Sequence, residues 1–218
     1  MRPIVMLSGG LDSVVCLYRE LDRASNPRAL FVDFGKRSNP RELSAAKRAC
    51  LSRDVPLEVI DARGLRALQL GYADPAHIES DEMDVKGEPE TRNPISGFNV
   101  IMAIGIFYAQ LTGFERVVFG LIQEQSESRP DLFNVGKQLT AAQKLLNPSA
   151  NTVEFDFPLS ELYKKDVIRV GADLSVPFDE SWSCLRDGVK HCGVCEQCTS
   201  RKSAFADAGI NDPTEYLE

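Results

Sequence analysis

Two stretches of this chain combine residue types and spacings that can do chemistry: Ser8-Gly9-Gly10-Leu11-Asp12-Ser13, and Cys184 with Cys192, Cys195 and Cys198. The first follows the apolar run Ile4 to Leu7 and precedes a helical pattern, so it lies at a strand-to-helix junction. Free backbone N–H groups and the helix dipole favour an anion there. Gly9 and Gly10 lack Cβ atoms and let the backbone close around phosphate oxygens, while Ser8 and Ser13 add hydroxyl donors. Asp12 repels phosphate unless a cation stands between them, which implies Mg2+. The loop has no Lys-Ser/Thr pair after its last glycine and no G-x-G-x-x-G, which argues against γ-phosphate transfer and dinucleotide binding. The competing reading is a tight turn whose glycines only relieve steric crowding.

Four of the six cysteines fall between Cys184 and Cys198. The overlapping C-x-x-C steps of Cys192, Cys195 and Cys198 bring neighbouring sulfurs to one ion, and the longer gap folds back to add Cys184. A tetrahedral Zn2+ site is the first expectation, its charge offset by Arg186, Lys190 and Arg201. An iron–sulfur cluster would use the same ligands; a redox dithiol, or His191 in place of one cysteine, also competes with zinc. A closed four-thiolate site leaves no open position, so the metal should pin the C-terminal segment and take no part in the reaction. Cys50 reads as core. Cys16 reads as core too, against the alternative of a low-pKa nucleophile near a helix N-terminus.

The elements that must position these groups follow from periodicity. Ile4–Leu7 predicts a buried parallel strand, followed by a helix over 11–24 whose stripe is Leu11, Val14, Val15, Tyr18 and Leu21. Ala29–Phe34 predicts a second strand, 40–53 a helix opened by Pro40, and Pro56–Ile60 a third strand. The acidic, Pro-containing stretch 71–94 has no period and predicts a loop suited to close over a substrate, with Glu79 to Glu90 at its centre. Val100–Leu111 is apolar all round and predicts a buried helix ending at Gly113. Arg116–Leu121 and Val153–Phe157 predict further strands, and 131–147 and the Leu162–Ala172 face predict helices. Alternating strands and helices give an α/β fold, a doubly wound parallel sheet with ligands at the carboxyl ends of its strands.

The 218 residues fit one domain of about 180 residues, 1–180, with a small C-terminal zinc lobe, 181–218, packed on it. A net charge of −7 has the wrong sign for gripping nucleic acid through phosphates. No apolar run is long enough for a leader peptide or a bilayer span, which predicts a soluble cytoplasmic protein without membrane association. His77 and His191 are the only histidines and neither adjoins a Ser or Cys, so a hydrolase triad is not expected.

The loop at 8–13 resembles the S-G-G-x-D-S pyrophosphate loop (PP-loop) of the ATP pyrophosphatase superfamily, related to the adenine nucleotide alpha hydrolases. With the C-terminal cysteines, the resemblance narrows to the QueC family of 7-cyano-7-deazaguanine synthases and spans nearly the whole chain. Further shared features are Asp33-Phe34-Gly35, Gly97 with Asn99, Gly120, Pro158-Leu159 with Leu162 and Lys164, and Ser183-Cys184 leading to Arg201. The resemblance implies adenylation of the carboxylate of 7-carboxy-7-deazaguanine, attack by ammonia, and a second activation that leaves a nitrile. It places Ser8, Gly9, Gly10, Leu11, Asp12, Ser13, Asp33, Phe34, Gly35 and Gly120 around ATP. It makes Asp12 and Lys164 catalytic, puts Gly97, Asn99 and Asp131 at the substrate, and gives Zn2+ the ligands Cys184, Cys192, Cys195 and Cys198. Without the resemblance, Lys164 is equally an exposed helix-start lysine.

Several positions depart from the family's usual residues. Phe98 stands where an Arg is usual, Lys36-Arg37-Ser38 where Gln-Arg-His is usual, and Arg129-Pro130-Asp131-Leu132-Phe133 keeps only Pro-Asp of Tyr-Pro-Asp-Cys-Arg. The expected partners are therefore ATP, Mg2+, a small carboxylate and ammonia or an amine. Competing with this are a divergent QueC-like enzyme that passes its acyl group to a protein amine, as in a bacterial defence system, a zinc-stapled nucleotide sensor, and a tRNA-modifying cousin. The sequence leaves open whether the chain pairs with itself or with another protein.

Overall fold

The computed structural model describes residues 2–71, 97–128 and 130–217. Within these, five strands form one parallel sheet: β1 (Pro3–Met6), β2 (Arg28–Asp33), β3 (Leu57–Asp61), β4 (Arg116–Val118) and β5 (Glu154–Asp156). Their order is β3-β2-β1-β4-β5. β1 is buried along its whole length and pairs with β2 through Val5 against Ala29 and with β4 through Val5 against Val118. Burial on both faces explains its uninterrupted apolar run.

Among the described residues there are eight α-helices: α1 (Leu11–Asp22), α2 (Asn39–Leu51), α3 (Arg63–Gly71), α4 (Gly97–Thr112), α5 (Gln123–Ser128), α6 (Leu132–Leu146), α7 (Lys164–Asp173) and α8 (Glu196–Ala208), with a short 3-10 turn at Phe178–Glu180. The side-chain alternation of the strands divides the core in two. Val5, Leu7, Ala29, Phe31 and Val118 face a layer that includes Val14, Val15, Val167, Ile168, Ala204 and Phe205 from α1, α7 and α8. Ile4, Met6, Leu30 and Val117 face the other layer, with Met102 and Ile106 from α4 and Leu132 from α6. The α/β doubly wound parallel sheet expected from the alternation is the observed fold, and no described helix is long and apolar enough to cross a membrane.

The chain leaves β1 toward β2 and β3 on one side and later returns to β4 and β5 on the other. The carboxyl ends of β1 and β4 therefore open a crevice at the topological switch point, where ligands bind in such sheets. The loop at 8–13 leaves β1 and Gly120 follows β4.

The strands match their predicted positions within a few residues, except that β4 ends at Val118 and not at Leu121. The helix expected to be buried all round, α4, exposes Phe107 and Leu111 at 64% and 71%, because only one of its faces lies on the sheet. Gly113 follows that helix in the left-handed region at φ +74. The predicted closing loop at 71–94, with Glu79 to Glu90, lies beyond its first residue outside the described residues, as does Arg129.

Candidate active site

Gly9 sits at φ +77, and a Cβ there would stand 2.1 Å from the Glu42 carbonyl oxygen of α2. Only glycine fits both the backbone twist and the space. Gly10 caps α1 with extended backbone and no side-chain cap, leaving the first-turn N–H groups of the helix to other acceptors. Ser13 donates to the Gly10 carbonyl at 2.9 Å and shares a hydrogen bond with Ser8 at 3.1 Å. From the other side Gly120 presses on the helix start; a Cβ there would lie 2.9 Å from the Asp12 carbonyl carbon and the Ser13 nitrogen. The loop is thus moulded by α2, α1 and the turn after β4.

Asp12 Oδ2 lies 3.5 Å from Lys164 Nζ, and Asp12 Oδ1 is buried without a hydrogen-bond partner among the described residues. An orphaned carboxylate oxygen beside a phosphate-shaped loop is the donor type a hard cation takes, so the site fits Mg2+. Lys164 is the first residue of α7 and only 7% exposed, and its backbone N–H is accepted by Glu124 Oε1 at 3.0 Å. A buried cation at a helix N-terminus opposes the helix dipole and needs a compensating charge, which Asp12 supplies.

Beside the loop opens a cavity of about 290 Å³. Its polar wall holds Ser8, Gly10, Asp12, Ser13, Lys36, Asn39, Glu42, Gly120 and Gln125. Its apolar wall holds Met6, Leu30, Val32, Phe34, Phe98, Ile101 and Phe119, with the rings of Phe98 and Phe119 5.6 Å apart. Burial pushes the Glu42 carboxyl above its usual range, against hydrogen bonds from Ser38 at 2.9 Å and Asn39 at 2.7 Å. Asn39, Glu42, Ile101, Phe119 and Gln125 carry no local motif and join the wall through the assembly of α2, α4, α5 and the β4 turn, beside Lys36 of the segment that departs from the family's usual residues.

Of the other expected site residues, Leu11 packs in the core, 2% exposed. Asp33 accepts the Gly35 N–H at 2.8 Å, shaping the turn that presents Phe34 to the cavity, with Gly35 at φ +72. Gly97 and Asn99 lie in the first turn of α4, where Phe98 between them lines the cavity and Asn99 is exposed. Asp131 is exposed ahead of α6 and is not among the residues lining the cavity.

The four C-terminal cysteines are buried and unpaired, and their Sγ atoms all lie within 4.8 Å of one another. Zinc bonded to sulfur at about 2.3 Å needs sulfur separations of this order. Cys184 accepts backbone N–H groups from Arg186 and Cys192, and Cys192 accepts one from Cys195. Hydrogen bonding to Cys198, helped by those N–H groups, draws the Cys184 thiol down to about 5 against burial. His191 is directed elsewhere: its Nε2 accepts the Ser183 N–H at 3.0 Å and its ring lies 4.3 Å from that of Trp182. Cys16 is buried in the core, and desolvation followed by the charge of Asp12 raises its thiol, the opposite of an activated nucleophile.

A family model for queuosine biosynthesis protein QueC matches residues 2–209. The chain belongs to the QueC family. QueC relatives among curated proteins include the 7-cyano-7-deazaguanine synthases of Methanobrevibacter smithii, 31% identical over all of this chain and 98% of the relative, and of Porphyromonas gingivalis, 33% identical over 98% and 96%. The QueC chain also shares its fold with solved structures. The U34-tRNA thiolase NcsA from Methanococcus maripaludis, described with its [4Fe-4S] cluster, matches at TM-score 0.53 and 16% identity over 95% of this chain and 67% of that one. NMN synthetase from Francisella tularensis matches at 0.50 and 15% over 96% and 77%.

Proposed function

We propose that this QueC-family chain is an ATP-dependent, AMP-forming ligase that adenylates the carboxylate of 7-carboxy-7-deazaguanine and transfers nitrogen to it. The observation that carries the reading is the joining of the glycine loop and the orphaned oxygen of Asp12 at one edge of the cavity, with the buried cation of Lys164 paired to that same carboxylate. The loop N–H groups bind the two outer phosphates of ATP and leave the α-phosphorus to the substrate. A carboxylate oxygen attacks that phosphorus, and the bond to the bridging oxygen breaks with its electron pair leaving on pyrophosphate. Lys164 stabilises the charge that grows there. Ammonia then adds to the acyl carbon, AMP departs with the C–O electron pair, and a proton is lost to water. A second ATP activates the amide oxygen in the same way, and loss of AMP with its C–O electron pair and of both amide protons to water leaves the nitrile.

Mg2+, held by Asp12 when bound, supplies positive charge to the phosphates. Ser8 and Ser13 donate to phosphate oxygens, while Phe34, Gly35 and Gly120 shape the space for the nucleotide. Gly97, Asn99 and Asp131 belong on this reading to the acid side. The four cysteines hold zinc: their sulfurs converge on a space fit for one ion, where a four-iron cube would force them farther apart. NcsA, of the same fold, is described with an iron–sulfur cluster, so metal analysis of the protein purified without oxygen decides between the two.

The test is to incubate the purified chain with ATP, Mg2+, ammonia and 7-carboxy-7-deazaguanine, alongside a panel of other aromatic acids. Release of AMP and pyrophosphate, with amide or nitrile detected by mass spectrometry, supports the assignment. AMP release with another acid only would move the substrate, and no AMP with any acid would reject the activity.

A further inference from the structure

Arg201 in α8 is fully buried, yet it does not touch the cavity. Its Nε pairs with Asp212 at 3.3 Å, which satisfies the charge. Its remaining donors go to one short stretch: Nη1 to Ser181 Oγ at 2.8 Å and Ser183 Oγ at 3.1 Å, and Nη2 to the Phe178 carbonyl at 2.7 Å. A planar fork with fixed donors holds such a stretch in one shape, which a flexible ammonium does not.

That stretch reaches the phosphate loop. The Trp182 N–H, between the two serines that Arg201 grips, donates to the Gly9 carbonyl at 2.9 Å. The Gly9 carbonyl and the Gly10 N–H belong to one trans peptide plane and point in opposite directions. Fixing the carbonyl on Trp182 therefore turns the Gly10 N–H away from the strap, and at the cavity that Gly10 lines it donates to Ser8 Oγ at 3.3 Å, a long bond that a phosphate oxygen would take over. Glycine backbones on both sides of this plane would otherwise rotate freely.

We infer that Arg201 and the backbone N–H of Trp182 are positioning residues of the phosphate loop, fixing the Gly9–Gly10 peptide so that its N–H serves as an anion donor. The inference rests on the reading of this loop as a phosphate site. It also gives the cysteine lobe a part in nucleotide binding, since Cys184 follows Ser183 and Cys198 shares α8 with Arg201.

Titration calorimetry of the full metal-loaded chain with inorganic pyrophosphate tests it, with bound metal and melting temperature measured on each variant. Trp182→Ala keeps the N–H, whereas Trp182→Pro removes it; Ser181 is already in extended backbone that a following proline accepts. Loss of one such hydrogen bond predicts pyrophosphate binding about five- to ten-fold weaker in the proline variant than in the alanine variant, at equal metal content. Equal affinities would overturn the inference. Should the proline variant not fold, Ser181→Ala decides the matter, since it deprives Arg201 of a partner while Asp212 still pairs the charge. Weaker pyrophosphate binding at unchanged melting temperature supports the inference, and wild-type binding overturns it. A wild-type chain that binds no pyrophosphate would instead sink the reading of the loop, and the inference with it.

Discussion

Lys164 Nζ lies 3.5 Å from Asp12 Oδ2, bringing the start of α7 to the start of α1, while Asp12 Oδ1 is left buried without a partner among the described residues. One carboxylate thus holds a lysine with one oxygen and offers the other to a cation. The two residues lie 152 positions apart, so only the packing of α1 and α7 on the sheet makes them neighbours. Lys164→Ala is expected to lower the rate of pyrophosphate release by about 100- to 1,000-fold with little change in ATP affinity, as for loss of one preorganised charge at the reacting phosphate. A stopped assay of pyrophosphate release checks this; a variant weakened in affinity alone would place Lys164 in binding.

Gly9 and Gly113 share a left-handed backbone, at φ +77 and +74, but only Gly9 is hemmed in by a neighbouring carbonyl. Gly113→Ala should cost about 1–2 kcal/mol from backbone conformation. Gly9→Ala should cost about 1–3 kcal/mol beyond that, because α2 must move, and should abolish pyrophosphate binding. Denaturant unfolding of both variants measures the difference, and equal destabilisation would mean that α2 does not mould the loop.

Much of this site is legible in the sequence because its parts are local. A buried parallel strand is an apolar run, and a phosphate loop is glycine and serine at its end. Helix α8 hides for a physical reason: the residues it buries are Cys198, Arg201, Ala204 and Phe205, so half of its inward face is a thiol and a guanidinium and gives no apolar stripe. Asn39 and Glu42 of the polar wall are equally hidden, since each reads as a surface residue of a helix start until the loop packs against it. In α4 the apolar composition misleads the other way, as Phe107 and Leu111 face outward.

Glu42 offers a pH signature. Burial raises its folded carboxyl above the usual 4.5, so between that value and the folded one the native chain binds more protons than the unfolded chain. Stability contributed by this group is then lost as pH rises through the window. Glu42→Gln cannot ionise, so its melting temperature relative to wild type should climb as pH rises above about 4.5. Parallel curves would contradict the raised value.

Removing a ligand from the cysteine site should remove the metal. Cys198→Ser is expected to lose the bound ion and to lower the melting temperature by roughly 10 °C, as for loss of a few kcal/mol in a chain of this size. Elemental analysis beside thermal melting checks both, and a metal-free wild type of equal stability would contradict the assignment.

The most direct measurement follows oxygen. With 7-carboxy-7-deazaguanine labelled with oxygen-18 in its carboxylate, transfer of the acid's oxygen to the α-phosphorus predicts AMP carrying one labelled oxygen for each amide formed. Unlabelled AMP, or ADP in its place, would contradict adenylation at this loop.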